Sequence, residues 1–267
     1  MAAKTISSRH NPLVARYRAV ARGETPGVLL LDGVHLVAEA VAAGVRIRHV
    51  AVKTDALKIT EIGSLVDALT RSNADVVAVS TPVMDALSPV RSSSTIVALA
   101  DRPDVAEDAL HRRPALIVIA IDVQDPGNVG AIVRVAEAGG ATGVVAAGAS
   151  ANPFGWKALR GSMGSALRLP VIATPDAARA VAAARARGCR IVATAPRAGR
   201  SLVEAGLSGP VAILIGGEGP GLPQELIEAA DERVTIPMQP PVESLNAAVT
   251  AALIVYEARR QRAIRQV

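Results

Sequence analysis

Residues 122–145 read DVQDPGNVGAIVRVAEAGGATGVV, and they follow the apolar run ALIVIAI at 115–121. A buried strand thus runs into a turn marked by proline and glycine, and then into a helix with apolar residues at helical spacing. A second apolar run, GVVAAG at 143–148, comes next. Strand, helix and strand in this order predict a parallel βαβ unit, and such uniformly apolar strands suit a sheet covered on both faces. Two residues exceed what the fold needs: Asn128 in the turn and Arg134 six positions later. The plain reading is that asparagine favours the turn and arginine the helix surface. The functional reading is that a polar group at a strand's carboxyl end stands where open α/β sheets bind ligands, with Arg134 reaching back to the same mouth.

The pattern repeats outward. RIVATA at 190–195 and VAILIGG at 211–217 are further buried strands separated by helical segments. The last helix is expected from near Ser244 through AAVTAALIVYEARRQR, with Leu245, Val249, Leu253 and Tyr256 on one face. Arg259, Arg260, Arg262 and Arg265 load its end, where cations suit the helix dipole. The first hundred residues alternate more loosely. A basic helix is expected from Pro12 and another ending at Gly44, with strands at GVLLLDG, IRHVAVK, DVVAVS and STIVALA. Nothing there resembles a catalytic constellation. The polar stretch DRPDVAEDALHRRP at 101–114 is the best linker. The expected organisation is a first domain at 1–104, a linker at 105–114 and a second domain at 115–267.

The chain has 267 residues, half of them hydrophobic, with one Trp, two Tyr and one Phe. That many residues bury a full core without staples, and so few aromatics exclude a base-stacking single-strand binder. The net charge of +5 favours a polyanionic partner. Basic residues cluster: Lys4, Arg9, Arg16, Arg18 and Arg22 lie in an acid-free stretch, and 157–200 holds Lys157 and eight arginines against Asp176 alone. A phosphate-tracking surface is expected at both, with an ordinary solvated surface as the alternative. Cys189 is the lone cysteine, and His10, His35, His49 and His111 are scattered, so no metal site is expected. Residues 1–23 lack the apolar core of a secretory signal, and the apolar run at 247–256 is too short to span a bilayer. A cytoplasmic protein is expected.

Three loops follow apolar strands. DPGNVGAIVR has neither the GxGxxG spacing of a dinucleotide fold nor the GKS or GKT of a phosphate loop, which disfavours a nucleotide-dependent oxidoreductase. LIGGEGPGL at 214–222 lets bare backbone approach a ligand. Glu218 amid those glycines faces solvent, a cation or a ligand. VTIPMQPPVESLN at 234–246 places Ser244 and Asn246 at a helix start, where their ordinary role is capping.

Taken together, the three loops resemble the SpoU (TrmH-type) branch of the SPOUT RNA methyltransferases. The first motif is carried by Asn128, Gly130 and Arg134, the second by Gly216, Glu218, Gly219 and Gly221. The third is Ile236, Pro237 and Met238 followed by Ser244, Leu245 and Asn246, and NPFGWKALRGSMGSALRLPV at 152–171 is similar to the segment between the first two. SSRHNPLVARYR and LLLDGVHLVAEAVAAGV resemble the family's accessory substrate-binding domain, which is L30e-like.

The resemblance implies an α/β fold in two parts: an L30e-like domain, then a parallel-sheet SPOUT domain with a deep trefoil knot. It implies S-adenosylmethionine as methyl donor and an RNA ribose 2′-hydroxyl as acceptor, with ribosomal RNA favoured over transfer RNA. A non-catalytic RNA-binding protein on the same fold is the rival from another class. Asn128, Arg134, Glu218, Ser244 and Asn246 are the implied catalytic residues. Arg134 either acts as base or, more easily for a group that stays protonated, holds a phosphate so that the hydroxyl lies in line. Thr194, Leu214, Gly216, Gly219, Ile236, Met238 and Leu245 are the implied cofactor residues. Arg9, Arg16, Arg18, Arg22 and Arg160 are the implied RNA contacts. A homodimer packed through the second domain, including its last helix, completes the expectation.

Overall fold

A computed structural model describes residues 5–112 and 114–264, so Lys4, Arg113 and Arg265 lie outside the described residues. In chain order the elements are β1 (Thr5–Ile6), α1 (Pro12–Ala21), β2 (Val28–Asp32), α2 (Val34–Ala42), β3 (Ile47–Lys53), α3 (Thr60–Arg71), β4 (Asp75–Val79), α4 (Thr81–Leu87) and β5 (Ile96–Asp101). Then come β6 (Leu116–Ile121), α5 (Pro126–Ala138), β7 (Gly143–Ala147), α6 (Trp156–Ser162), β8 (Val171–Thr174), α7 (Ala177–Ala186), β9 (Arg190–Thr194) and β10 (Arg200–Ser201). The chain closes with β11 (Val211–Gly216), α8 (Gln224–Glu228), β12 (Glu232–Thr235) and α9 (Ala247–Ile264).

Two compact units result, residues 1–104 with 154–167, and residues 105–153 with 168–267. The first boundary falls where the composition changes. Residues 154–167 are the surprise, because the resemblance counts them in the second domain. In the structure α6 packs on β2, Trp156 lies against the first unit's core, and Arg160 donates to the buried Asp32 carboxylate at 2.7 Å. The linker holds regular structure at its centre. Positions 107–111 form a 3₁₀ turn, and Leu110 is buried in the second unit's core.

The first unit is a mixed sheet in the order β1-β4-β3-β5-β2, with β5 antiparallel to both β2 and β3. Asn11 caps α1 by accepting from the Leu13 N–H at 3.0 Å, and Pro12 occupies the first helical position, a favourable start. Tyr17 of α1 is fully buried and its hydroxyl bonds to Nδ1 of His49 on β3 at 2.8 Å.

The second unit is a seven-stranded, wholly parallel sheet in the order β10-β12-β9-β11-β6-β7-β8. Every residue of β6 is buried. Ile117, Ile119 and Ile121 enter the core shared with α7, so the intervening residues point to the opposite face. With both faces covered, the alternation that marks a half-exposed strand disappears from the sequence. α5 and α9 pack closely together. A Cβ on Gly139 would sit 2.1 Å from Cγ1 of Val255, so glycine permits this approach.

The last helix differs from expectation in where it starts. It begins at Ala247 rather than near Ser244, because Asn246 is its cap and accepts from the N–H groups of Ala248 at 2.9 Å and Val249 at 3.3 Å. Its buried face is mostly alanine with Ile254 and Val255, whereas Val249, Leu253 and Tyr256 are 47%, 43% and 49% exposed. Not all its terminal arginines merely sit at the dipole. Arg262 donates to the carbonyls of Leu207, Pro114, Ala115 and Gly209 at 2.7–3.2 Å, tying the helix to the start of β6.

The arginine-rich stretch 157–200 is also not the bare phosphate-tracking surface expected of it. Seven of its eight arginines pair with acids supplied from elsewhere in the chain: Arg160 with Asp32, Arg168 with Glu137, Arg185 with Asp231, Arg187 with Asp108, Arg190 and Arg200 with Glu232, and Arg197 with Glu243. Charge that looks unopposed along the sequence is thus opposed in space. Arg179 alone of the eight lacks such a partner among the described residues.

Candidate active site

The three loops singled out in the sequence follow β6, β11 and β12. The second and third, with the end of β9, border a cavity of about 360 Å³, a size typical of small-molecule sites. No residue of the first loop lines it, and Asn128 joins the site only through its bonds to Glu218 and Asn246. Thr194, Gly216, Glu218, Gly219, Ile236, Met238, Ser244, Leu245 and Asn246 all line it. Leu214 does not. Its side chain lies in the core and its carbonyl accepts the Thr194 hydroxyl at 2.9 Å.

The glycine loop is shaped by close backbone approach. Gly217 and Gly221 form an antiparallel bridge, with Gly219 and Gly221 at φ of 92° and 71°. A Cβ on Gly216 would lie 2.5 Å from backbone atoms of Gly221 and Leu222, and one on Gly217 would lie 1.9 Å from the Asp122 carbonyl oxygen. The loop therefore folds on itself and rests on the end of β6. Its tip presents Glu218.

Asp125 caps α5 by accepting from the Asn128 N–H at 2.9 Å. Asn128 is thus the third residue of the helix rather than a turn residue. Its Nδ2 donates to Oε1 of Glu218, and its Oδ1 accepts from Nδ2 of Asn246 at 3.0 Å. Asn246 spends its own oxygen on the α9 cap. That cap fixes which way the Asn246 amide points, which in turn fixes Asn128 and leaves an N–H for the Glu218 carboxylate. One helix start thereby orients three polar side chains from three loops.

Arg134 is exposed on the third turn of α5 and does not line the cavity. Six residues along a helix move a side chain about 9 Å and about 240° around the axis, so it does not share the face of Asn128. It has no ion-pair or hydrogen-bond partner among the described residues, leaving its cation available.

Sequence reading missed several cavity residues. Thr250 and Ile254 follow Asn246 at four-residue steps and share its face, so helical spacing was the available signal. Ala195, Pro196, Leu222 and Ile227 also line the cavity and carried no signal of their own. Of the implied RNA contacts, Arg9 donates to the Pro82 carbonyl at 2.9 Å, Arg18 to that of Ala86 at 3.1 Å, and Arg22 to Glu24 at 2.8 Å. Arg160 is held by Asp32, which leaves Arg16 as the one of the five whose guanidinium has no hydrogen-bond or ion-pair partner among the described residues. Among these residues no cluster of His, Cys, Asp or Glu could hold a metal, and no helix is long and apolar enough to cross a membrane.

A profile described as the SpoU rRNA Methylase family matches residues 115–256. The chain is 31% identical over 86% of its length to a Bacillus subtilis 23S rRNA (guanosine(2553)-2′-O)-methyltransferase, RlmP, and spans 88% of that protein. The structure of AdoMet-bound rRNA methyltransferase from Sinorhizobium meliloti is similar with a TM-score of 0.85 at 27% identity, covering 96% of this chain and 97% of that one. AviRb from Streptomyces viridochromogenes, also with AdoMet, is similar with a TM-score of 0.85 at 28% identity, covering 95% and 99%. With its three loops joined by the Asn128–Glu218 and Asn128–Asn246 contacts beside a cavity of a parallel sheet, and with these relatives, the chain belongs to the SpoU rRNA methylase family.

Proposed function

We propose that the chain is an S-adenosylmethionine-dependent methyltransferase that modifies a ribose 2′-hydroxyl in ribosomal RNA. The observation that carries this is the relay Glu218–Asn128–Asn246 at the rim of a glycine-walled cavity. The rRNA 2′-O-methylation named for RlmP supports it.

The residues present fit the cofactor. Ile236, Met238 and Leu245 offer apolar contact to a flat base, and Gly216 and Gly219 admit the ligand against bare backbone. Bound there, S-adenosylmethionine supplies an electrophilic methyl group. Asn128, Glu218, Ser244 and Asn246 orient the acceptor hydroxyl, because each presents a polar atom at or beside the cavity rim. Arg134 holds the adjoining phosphate. A guanidinium keeps its proton in nearly all protein sites, so positioning ranks ahead of general base catalysis.

The first unit is read as the L30e-like substrate-binding domain, with Arg9, Arg16, Arg18 and Arg22 on RNA phosphates. All four are exposed, and the backbone carbonyls that Arg9 and Arg18 touch leave their charge unneutralised. The exposed stripe Val249, Leu253 and Tyr256 on α9 supports a homodimer through the second unit, since large apolar patches mark interfaces. The trefoil knot and a cytoplasmic location belong to the same reading. Mapping 2′-O-methyl sites in total RNA with and without the gene tests it. Loss of one ribosomal site is expected; loss only from transfer RNA, or no loss, overturns it.

A further inference from the structure

β6 ends at Ile121, level with Gly216 of β11, and the next residue breaks the strand. Asp122 has φ of 57°, left-handed backbone that most side chains resist and that glycine, asparagine and aspartate accept more readily. Its surroundings hold it there. The Asp122 N–H donates to the Ala147 carbonyl at 3.2 Å, and its carboxylate accepts from the Ala149 N–H at 2.7 Å. Gly148 leaves room for that carboxylate, since a Cβ there would lie 2.3 Å from Oδ1. The Val123 N–H donates to the Ser150 hydroxyl at 3.0 Å, and the Val123 carbonyl accepts from the Ala151 N–H at 2.8 Å. The end of β7 and the loop after it thus grip both residues.

Disfavoured conformations fixed from several sides cluster at working sites, and what this one places is visible. The Asp122 carbonyl oxygen lies against Gly217, where a Cβ would be 1.9 Å away. Glu218 follows at once, and its Oε1 accepts from Nδ2 of Asn128. Asn128 is set from the same turn in the other direction. The chain runs from Asp122 through two residues to Asp125, which caps α5 by accepting from the Asn128 N–H. One turn therefore bears on both partners of the Glu218–Asn128 bond.

We propose that Asp122 is a positioning residue for the methyl transfer: its left-handed turn makes its carbonyl the stop on which Gly217 rests, and so fixes where Glu218 meets Asn128. This rests on the reading of the cavity as a methyltransferase site. Asp122 itself does not line the cavity. A turn that only ended β6 would leave the Glu218–Asn128 bond indifferent to it.

Asp122→Gly and Asp122→Val separate the turn from the carboxylate. Both lose the bond to Ala149, but glycine keeps the left-handed backbone and a β-branched residue opposes it. With full-length protein and saturating S-adenosylmethionine, the valine variant should methylate RNA roughly tenfold more slowly than the glycine variant in single turnover, with RNA affinity unchanged. Asp122→Asn restores an acceptor for Ala149 and should keep most of the wild-type rate. Asp122→Ala replaces the valine variant if that one does not fold. In a Glu218→Ala background the gap between the glycine and valine variants should close, because the turn acts through that side chain; a gap that persists overturns the proposal. The side-chain amide signals of Asn128 in the ligand-free ¹⁵N-labelled protein report the same placement without chemistry. They should differ between the valine and glycine variants, and coincident signals overturn the proposal. Signals that differ while the rates stay equal uphold the placement by Asp122 and remove Glu218 from the reaction instead.

Discussion

The side-chain amide of Asn246 donates to that of Asn128, 118 residues away, at 3.0 Å, while its oxygen caps α9. These two duties separate under substitution. Asn246→Asp keeps an oxygen for the cap but turns an acceptor toward Asn128. We expect stability within about 0.5 kcal/mol of wild type and a fall of roughly 10²-fold in single-turnover RNA methylation. Asn246→Ala should lose about 1 kcal/mol of stability as well. Thermal melts and methylation rates together check this. Normal activity in Asn246→Asp would show that the relay is incidental.

Gly216→Ala should weaken S-adenosylmethionine at least tenfold, about 1.4 kcal/mol. The reason is the loop itself: the new methyl would stand 2.5 Å from the Gly221 and Leu222 backbone. Gly219→Ala meets no neighbouring atom within 4 Å and carries only the strain of its positive φ, so its loss should be smaller. Titration calorimetry of both variants decides, and equal affinities would remove loop crowding as the cause.

For Arg134, the lysine variant keeps the charge and loses the fork. Arg134→Lys should retain part of the methylation rate and Arg134→Ala should lose about 10²-fold or more. Neither should alter cofactor affinity, because Arg134 stands outside the cavity. If lysine is as inactive as alanine while RNA binding is normal, the base role moves ahead of phosphate holding.

Acid should destabilise the protein through His49. Burial holds its imidazole below the ordinary range, against the opposing pull of Asp75. The unfolded chain therefore takes up a proton near pH 6.5 that the folded chain refuses. Stability is full above that pH and falls as pH drops toward the lowered folded value, with His111 adding in the same direction. Urea melts at pH 7.5, 6.0 and 5.0 should show the gap between wild type and His49→Asn closing as pH falls. A constant gap would exclude His49 as a source of acid sensitivity.

Much of this was legible in the sequence because apolar runs and glycine loops are local signals. β6, β7, β9 and β11 each stand out as short apolar stretches, and the motif residues are gathered where the loops meet. β8, at 171–174, was missed because only Val171 of its four residues is buried. The partners of the arginines were illegible for a different reason. Asp32 lies 128 residues from Arg160, and no periodicity reports such a pairing. For α9 an apolar face was legible, but not what covers it. Its alanines pack inward beside α5, whereas its larger apolar residues point out.

The cavity draws its walls from β9, from the loop after β11 and from the start of α9, and the relay joins residue 128 to residue 246. Synthesis proceeds at about 5–20 residues per second, with earlier segments folding first. The first unit lacks only 154–167 once residue 104 is made, but the cofactor cavity is not complete until residue 254 has left the ribosome. On the proposed reading of the first unit as the RNA-binding domain, a nascent chain touches RNA well before it can methylate any, and catalytic competence arrives in a single late step.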